Sequence, residues 1–250
     1  MSINPCIDAV LMEVADPGQI AGISNYSHDP RATSISLKQA QRFLAVDAVA
    51  EDVLAAQPDL VLAGPHVAIQ TIAALRRLGI PLAQFPVAES IADSEAQITA
   101  IAARIGRPAQ GAQLNARIDA ALVASHWSGR PVPALIWQGS GLVPGKGTLA
   151  DELLAHTGFT NMSSASGLKK WDILPLEGLL GHPPAVLLAG EANMGAGNDD
   201  GNRMLNHPVL RKARGQIRIA NYPSRLLHCG GPVIISSALR LAQVRRDQGI

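Results

Sequence analysis

The sequence predicts an α/β protein with two similar lobes joined by one long helix. Segments with the apolar period of a helix alternate with short, fully apolar segments typical of buried strands. The pattern of residues 51–64 returns at residues 177–190, with Glu at its start, Pro at the helix end and an apolar strand closing in Ala-Gly. Chance similarity between two βα units is the alternative explanation. The helix-forming run from Ala109 to Ser125 separates the two copies.

The elements follow one another with clear Pro and Gly boundaries, as at Asp16-Pro17-Gly18 after the first helix and Ser128-Gly129-Arg130-Pro131 after the long one. The helices are expected at residues 7–15, 48–56, 68–78, 94–105, 109–125, 149–156, 175–180, 207–213 and 233–245. The strands are expected at residues 19–24, 60–63, 81–85, 134–137, 186–189 and 216–220, with the end of a first strand at residues 2–4. Such alternation implies parallel βαβ units.

Composition excludes several classes of protein. The chain has 250 residues, a net charge of +1 and 47% hydrophobic residues. The charge argues against an electrostatic nucleic-acid binder, and the apolar content excludes disorder. The longest apolar segments, such as residues 60–63, are far too short to cross a bilayer. The length allows one large or two medium domains, and the expected boundaries are 1–108, a connecting helix at 109–130, and 131–250.

The start of the chain leaves its compartment open. Met1 is followed by neither a basic stretch nor an apolar one, so the sequence suits a cytosolic protein or an exported protein whose leader is absent. Cys6 and Cys229, near opposite ends of the chain, are two buried thiols or a disulfide of an oxidising compartment.

Candidate ligand contacts follow from the strand ends, because open α/β sheets bind ligands outside the carboxyl ends of their strands. This rule selects residues 4–6, 26–29, 64–67, 137–143, 191–198 and 226–231. Tyr26 and Trp137 fall in these segments, and Trp171 lies in the polar segment 163–172. Only eight aromatic residues are present, so their place in polar loops favours a flat or bulky ligand. The alternative is that each one packs into its own lobe.

Other chemistries have weaker support. The Gly-rich segment 139–148 departs from both the phosphate-binding loop and the dinucleotide fingerprint, and no nucleophile elbow is present. Cys6 begins a helix, but no base is indicated nearby. A metal site remains an alternative, since His28, His66 and His228 all follow strand ends, with Glu191 or Asp199 as a carboxylate ligand.

Several motifs in order resemble one family. They are Ser2-Ile3-Asn4-Pro5-Cys6, residues 20–30 with the pattern Ile-x-Gly-Ile-Ser-x-Tyr-Ser-x-x-Pro, Gln57-Pro58-Asp59-Leu60-Val61-Leu62-Ala63, Leu78-Gly79-Ile80-Pro81, Gly145-Lys146-Gly147-Thr148, Trp171 and Gly231-Pro232. With this spacing the chain resembles the class III, helical-backbone substrate-binding proteins of ABC importers, a group with vitamin B12 and iron-siderophore binders. The resemblance covers nearly the whole chain.

The resemblance implies two Rossmann-like lobes joined by a single long rigid helix, with the ligand cleft between the lobes. It implies a periplasmic monomer without enzymatic activity or cofactor, which carries a small-molecule metal chelate to an inner-membrane ABC permease and binds no nucleic acid. A cobalamin-like corrinoid is expected first and a ferric siderophore second, because the near-neutral charge disfavours strongly anionic chelates. The alternatives are a bare Zn or Mn binder using the cleft histidines and a cytosolic doubly wound enzyme or sensor.

The ligand-binding residues expected from strand ends and resemblance are Tyr26, Pro65, His66, Trp137, Leu142, Trp171, Glu191, Asn193 and His228. The resemblance also implies an inter-lobe disulfide between Cys6 and Cys229. At the positions where family members offer glutamates to the permease, this chain has Ile69 or Gln70 and His228.

Overall fold

The computed structural model describes residues 1–138, 141–190 and 217–249, and its helices and parallel strands confirm the predicted α/β class. The helices are α1 (Pro5–Val14), α2 (Leu37–Ala40), α3 (Ala50–Ala55), α4 (Ile69–Arg77), α5 (Ile91–Arg104), α6 (Pro108–Ser125), α7 (Leu149–His156), α8 (Met162–Ala165), α9 (Leu176–Gly181) and α10 (Val233–Asp247). The strands are β1 (Ile23–Ser24), β2 (Ala45–Val46), β3 (Val61–Ala63), β4 (Leu82–Gln84), β5 (Val132–Trp137), β6 (Leu142–Pro144), β7 (Phe159–Asn161), β8 (Trp171–Ile173), β9 (Val186–Ala189) and β10 (Arg218–Asn221). Short 3₁₀ helices cover Pro17–Gln19, Asn25–His28 and Ser224–Leu226.

The chain divides into two units. Unit 1 comprises Met1–Asp119 and His228–Val233, and unit 2 comprises Ala120–Leu227 and Ile234–Ile250. The division falls within α6, and the chain returns briefly to unit 1 just before α10. The domain boundaries expected from the sequence do not include this return.

Unit 1 is built on short parallel strands. β1 pairs with β2, and β3 pairs with β4. Residues 2 and 3 link these pairs, because Ser2 N–H donates to Gly22 O and Ile3 N–H donates to Leu62 O. The core cluster consists of Met1, Ile3, Val46, Val53, Val61, Ala63, Ile72 and Leu75. Burial of these side chains supplies the main stabilisation of the unit.

Helix α1 begins where the sequence gives two start signals. Asn4 is its N-cap, and its Oδ1 accepts hydrogen bonds from the backbone N–H groups of Cys6 and Ile7 at 3.0 and 3.1 Å. Pro5 occupies the first helical turn, where a missing N–H costs nothing. The Asn4 side chain also explains Gly64, because a Cβ there would lie 2.2 Å from Asn4 Nδ2.

Unit 2 contains a four-stranded parallel sheet in the order β10-β9-β5-β7. All four residues of β9 are buried, which agrees with their continuous apolar sequence. A separate antiparallel pair joins β6 to β8. The core cluster consists of Leu135, Trp137, Val143, Leu179, Leu187, Ala189 and Ile217.

A buried arginine ties α10 to the remainder of unit 2. Arg245 is 4% exposed, and its guanidinium lies 3.8 Å from the ring centroid of Trp127. It donates hydrogen bonds to the carbonyl oxygens of Gly158 and Arg130, and burial lowers its pKa. The charge is therefore balanced by carbonyl dipoles and an aromatic face.

The structure differs from the predicted elements mainly in its short pieces. Residues 17–19 form a 3₁₀ helix, so the strand expected at 19–24 is limited to β1. Strands β2, β6, β7 and β8 were not expected. The helix expected at 207–213 lies outside the described residues. Among the described helices, none combines the length and the apolar character needed to cross a membrane.

Candidate functional site

Tyr26 lies on the surface of unit 1. It belongs to the 3₁₀ helix Asn25–His28, directly after β1, and 59% of it is exposed. An exposed phenol at a strand end offers both an apolar ring and a polar hydroxyl to a ligand. The structure therefore places the predicted Tyr26 where a ligand can reach it.

A buried carboxylate holds the turn that carries Tyr26. Asp8 of α1 accepts hydrogen bonds on its Oδ2 from Ser24 N–H at 2.9 Å and from Ser27 Oγ at 2.6 Å. Ser24 and Ser27 flank Tyr26 on both sides, and both are buried. Asp29 N–H closes the turn by donating to Tyr26 O at 3.1 Å. The position of Tyr26 thus depends on a side chain from another element.

Burial decides the ionisation of Asp8, which has no solvent exposure. Desolvation raises the pKa of Asp8 from 3.8 to about 7. Hydrogen bonds from the side chains of Ser2 and Ser27 and from the backbone of Ser24 oppose the rise, as does the amino group of Met1. The carboxyl group is therefore divided between its protonated and ionised forms near neutral pH.

Pro65 and His66 follow the end of β3, and both are exposed. Ser2 forms a parallel bridge with Leu62 of β3, and its backbone N–H donates to Gly22 O just before β1. Tyr26 comes after β1, and Pro65 and His66 come after β3, which are the positions where the rule for open α/β sheets expects ligand contacts.

Within the described part of the chain, the three candidate histidines form no metal-binding group. His228 is half-buried, and burial lowers its pKa against the effect of a hydrogen bond to the backbone of Arg31. The Nε2 atoms of His28 and His228 are buried without a hydrogen-bond partner within the described part of the chain. No group of three His, Cys, Asp or Glu side chains that could hold a metal occurs among the described residues. His28, His66 and His228 therefore do not come together as the alternative of a Zn or Mn site requires.

The two cysteines of the chain form a disulfide, with their Cα atoms 5.1 Å apart. Both belong to unit 1, because residues 228–233 return to that unit. The expected inter-lobe position of this bond is therefore wrong. The disulfide instead joins the first turn of α1 to the segment that carries His228.

Trp137, predicted as a ligand contact, is buried in the core of unit 2. It is 2% exposed and packs in the core cluster of unit 2 with Leu135, Val143 and Leu179. Residues 134–137 at the end of β5 are all buried, so side chains that point to either face of the sheet are covered there. Trp137 therefore stabilises unit 2 and is not part of its exposed surface.

The pair β6–β8 carries an exposed apolar face on unit 2. Leu142 is opposite Ile173 and Pro144 is opposite Trp171, so these four residues share one side of the pair. Leu142, Trp171 and Ile173 are 36%, 42% and 51% exposed. We call these three residues the hairpin face; its two antiparallel strands are not consecutive, since residues 145–170 lie between them. Exposed apolar side chains grouped in this way are typical of a binding surface.

Three exposed lysines stand at the edge of the hairpin face. Lys146 forms an isolated bridge with Lys169, and Lys170 N–H donates to Lys146 O at 3.0 Å. The ammonium group of Lys170 donates to Gly147 O at 3.2 Å. We call Lys146, Lys169 and Lys170 the lysine edge. It gives this surface a local positive charge that the net charge of +1 does not reveal.

The Gly-rich segment beside β6 has a structural role. Thr148 caps α7, because its Oγ1 accepts from Asp151 N–H at 3.1 Å. The backbone N–H of Gly147 donates to Asp151 Oδ2 at 3.3 Å. Gly147 and Thr148 therefore form the start of α7 through Asp151.

Glu191 and Asn193, and the alternative ligand Asp199, lie outside the described residues. Sequence reasoning missed Asp8, Ile173 and the lysine edge. Only Ile173 had a usable signal, since Trp171 and Ile173 alternate with Asp172 as in a strand.

A family model described as periplasmic binding protein matches residues 1–214. No curated protein sequence matches this chain.

Solved structures with similar folds cover nearly the whole chain. The periplasmic heme-binding protein RhuT from Roseiflexus sp. RS-1 in apo form has a TM-score of 0.74 and 20% identity, over 97% of each chain. The periplasmic heme-binding protein HutB of Vibrio cholerae has a TM-score of 0.76 and 15% identity, over 97% of this chain and 96% of that chain. The periplasmic vitamin B12-binding protein BtuF of Vibrio cholerae has a TM-score of 0.72 and 16% identity, over 99% of this chain and 96% of that chain. At these identities the likeness establishes the fold alone.

Proposed function

Because the chain belongs to the periplasmic binding protein family, we propose that it binds a bulky metal chelate with a flat macrocycle and delivers it to an ABC permease. Proteins of this family and fold are binding proteins for transport, and not enzymes. The hairpin face carries the proposal, because its exposed Leu142, Trp171 and Ile173 offer a surface suited to stacking and apolar burial.

The disulfide supports a periplasmic location. Disulfides persist in oxidising compartments and are rare in the cytosol, where thiols are kept reduced. In this chain both cysteines are bonded, with no free thiol. An exported protein is thus favoured over the cytosolic enzyme or sensor that the sequence alone leaves open.

A cobalamin-like corrinoid is the first candidate ligand. Its macrocycle is large and largely uncharged at the rim, which agrees with a chain of net charge +1. Tyr26 on unit 1 and Trp171 on unit 2 are exposed aromatic side chains, and each is proposed to contact the ligand. Pro65, His66, Leu142 and His228 are proposed as further contacts.

Heme is the second candidate, and the lysine edge favours it. Heme combines a flat apolar ring with two carboxylates, and lysines beside an apolar surface match that combination. Three of the chain's cations lie at this edge, next to Trp171. The two candidates therefore differ in their expected dependence on Lys146 and Lys169.

Binding tests separate these ligands. We expect cobalamin, cobinamide or heme to raise the melting temperature, since ligand at 100 times its Kd stabilises the native state by about 2.7 kcal/mol. If only a ferric hydroxamate raises the melting temperature, the ligand is not a flat macrocycle. If only Zn raises it, the ligand is a bare metal ion and not a chelate. No shift with any of the five compounds would overturn the proposal.

A matched pair of variants tests the hairpin face. Ile173→Ala removes part of that face, whereas Ile219→Ala truncates a comparably exposed isoleucine on β10 of the same unit. We expect Ile173→Ala to raise the Kd about 5- to 30-fold, because the lost apolar contact costs about 1–2 kcal/mol of binding free energy. Ile219→Ala should leave the Kd unchanged. Equal effects of the two would remove the hairpin face from the site.

Charge neutralisation then distinguishes the two macrocycles. Lys146→Gln with Lys169→Gln should weaken heme binding several-fold, with a smaller loss at high salt, and leave cobinamide binding unchanged. If heme affinity does not respond to this change, the lysine edge gives no support to the second candidate.

A further inference from the structure

Two carboxylates bond to the turn of residues 24–29, which we call the Tyr26 turn: the exposed Asp47, which accepts from Asn25 Nδ2, and the buried Asp8. Asp8 Oδ2 accepts from Ser24 N–H and Ser27 Oγ, the residues that flank Tyr26 and its neighbour Asn25. Asp8, Ser24 and Ser27 are at most 2% exposed, so water does not replace these bonds when they weaken. Tyr26 itself is exposed.

We propose that Asp8 is a positioning residue of the ligand-binding surface: its carboxylate holds the Tyr26 turn, and the turn loosens when that carboxylate gains a proton. Hydrogen bonds to an ionised acceptor are roughly twice as strong as bonds to a neutral one. The proton therefore weakens both contacts to the turn at once.

The protonation occurs in a physiological range. Burial raises the pKa of Asp8 to about 7, so a change of one pH unit around neutrality alters its charge substantially. The Met1 amino group acts on it electrostatically, and the bonded groups are hydroxyls and an amide. His28 on the turn and His228 beside Arg31 are the titratable histidines of this region, and both need a control.

This mechanism separates ligand affinity from stability, which a purely structural role would not do. Protonation relieves the cost of a buried charge and so favours the folded state, while it weakens the bonds to the turn. Acidification from pH 8 to pH 6 should therefore increase the stability that Asp8 contributes and lower the affinity for a ligand that contacts Tyr26. The affinity part rests on the proposed function, but the movement of the turn does not.

Tyr26 can be observed without any ligand, because the chain has only two tyrosines. The other, Tyr222, is 1% exposed and bonded to Ser237, which makes it an internal reference. Protein labelled with ring-¹³C tyrosine is titrated by NMR from pH 5.5 to 8.5, with Tyr26→Phe used for assignment. The Tyr26 signals should shift with a midpoint near neutral pH, while the Tyr222 signals stay constant.

Four variants identify the titrating group. Asp8→Asn should abolish the Tyr26 shift, whereas His28→Gln and His228→Gln should each retain it. Ser27→Ala should move the midpoint upward, since it removes a hydrogen bond that lowers the pKa of Asp8. Ser27→Ala also tests the role of Asp8 if the Asp8→Asn variant does not fold. A wild-type protein without the shift, a shift that persists in Asp8→Asn, or an unmoved midpoint in Ser27→Ala would overturn the proposal.

The ligand arm uses heme and cyanocobalamin as probes. The Kd of the probe that binds should rise at least threefold between pH 8 and pH 6 in the wild type and stay constant in Asp8→Asn. A rise of equal size in both proteins would contradict the positioning role. If neither probe binds at any pH, the proposed function fails, and the tyrosine titration still decides whether Asp8 controls the turn.

Discussion

At the scale of single residues, Asp8 links pH to stability. Its pKa in the folded protein, about 7, is higher than the 3.8 of an unperturbed aspartate. Between these two values the folded state binds more protons than the unfolded state, so the free energy of unfolding falls as pH rises. The loss is on the order of 4 kcal/mol and is complete about one pH unit above the folded-state pKa.

Urea unfolding of the wild type and Asp8→Asn at pH 5, 6, 7 and 8 measures this effect. The wild type should lose stability relative to the variant as pH rises, with a steep loss between pH 5 and pH 7 and only a small further loss between pH 7 and pH 8. Parallel curves for the two proteins would show that Asp8 does not titrate in the folded state.

Sequence reasoning placed Tyr26, Pro65 and His66 directly after strands. The structure has them after β1 and β3 and exposed, and their contact with a ligand stays a prediction. It could not decide the direction of Trp137, because the last residue of a strand faces core or solvent according to what covers the sheet. It also could not find Asp8, since an aspartate in the first turn of a helix is ordinarily a solvated residue that favours the helix dipole.

At the scale of elements, the β6–β8 pair depends on close backbone approach. Gly145 follows β6 and lies against the segment that precedes β8. A Cβ on Gly145 would lie 2.5 Å from Leu168 O, and Gly145 N–H donates to Lys170 O. Gly145→Ala should therefore destabilise the protein by about 1–3 kcal/mol and weaken ligand binding at the hairpin face.

Gly181→Ala is the matched control, because a Cβ at Gly181 meets nothing within 4 Å. Thermal unfolding followed by circular dichroism compares the two variants. If both unfold at the wild-type temperature, Leu168 can move aside and the pair does not require glycine at this position.

The elements themselves were predicted unevenly. β3 and β9 have fully apolar sequences, and α1 has both a cap and a proline at its start, so local signals suffice. β6 and β8 pair across 27 or more residues, and each is only three residues long. Their register depends on contacts between distant segments, which short polar or Gly-rich stretches do not reveal.

At the scale of the whole molecule, the Cys6–Cys229 bond closes a sequence separation of 223 residues. Cross-linking distant residues restricts the unfolded chain, and such a bond contributes about 2–4 kcal/mol. Reduction of the wild type, or the double variant Cys6→Ser with Cys229→Ser, should lower the free energy of unfolding by that amount. Urea titrations with and without dithiothreitol measure the difference.

The double variant is its own control for the reductant. Dithiothreitol should destabilise the wild type and leave the double variant unchanged. Equal stability of oxidised and reduced wild type would mean that the bond contributes nothing to the native state.

The overall class was predictable because alternating helices and strands leave few arrangements other than parallel βαβ units. The order β10-β9-β5-β7 was not, since neighbours in this sheet are distant in sequence. Likewise, nothing local assigns residues 228–233 to unit 1. The shared architecture with solved periplasmic binding proteins could be predicted from ordered motifs, whereas the disulfide's place within one unit could not.

The return of residues 228–233 to unit 1 sets an order for biosynthesis. Unit 1 is translated first, yet its last segment follows residue 119 by about 110 residues. At roughly 5–20 residues per second, translation of that interval takes about 5–20 s. Throughout it, Cys6 has no partner and the first turn of α1 lacks one of its neighbours. The first turn of α1 is therefore among the last parts of unit 1 to gain all its contacts.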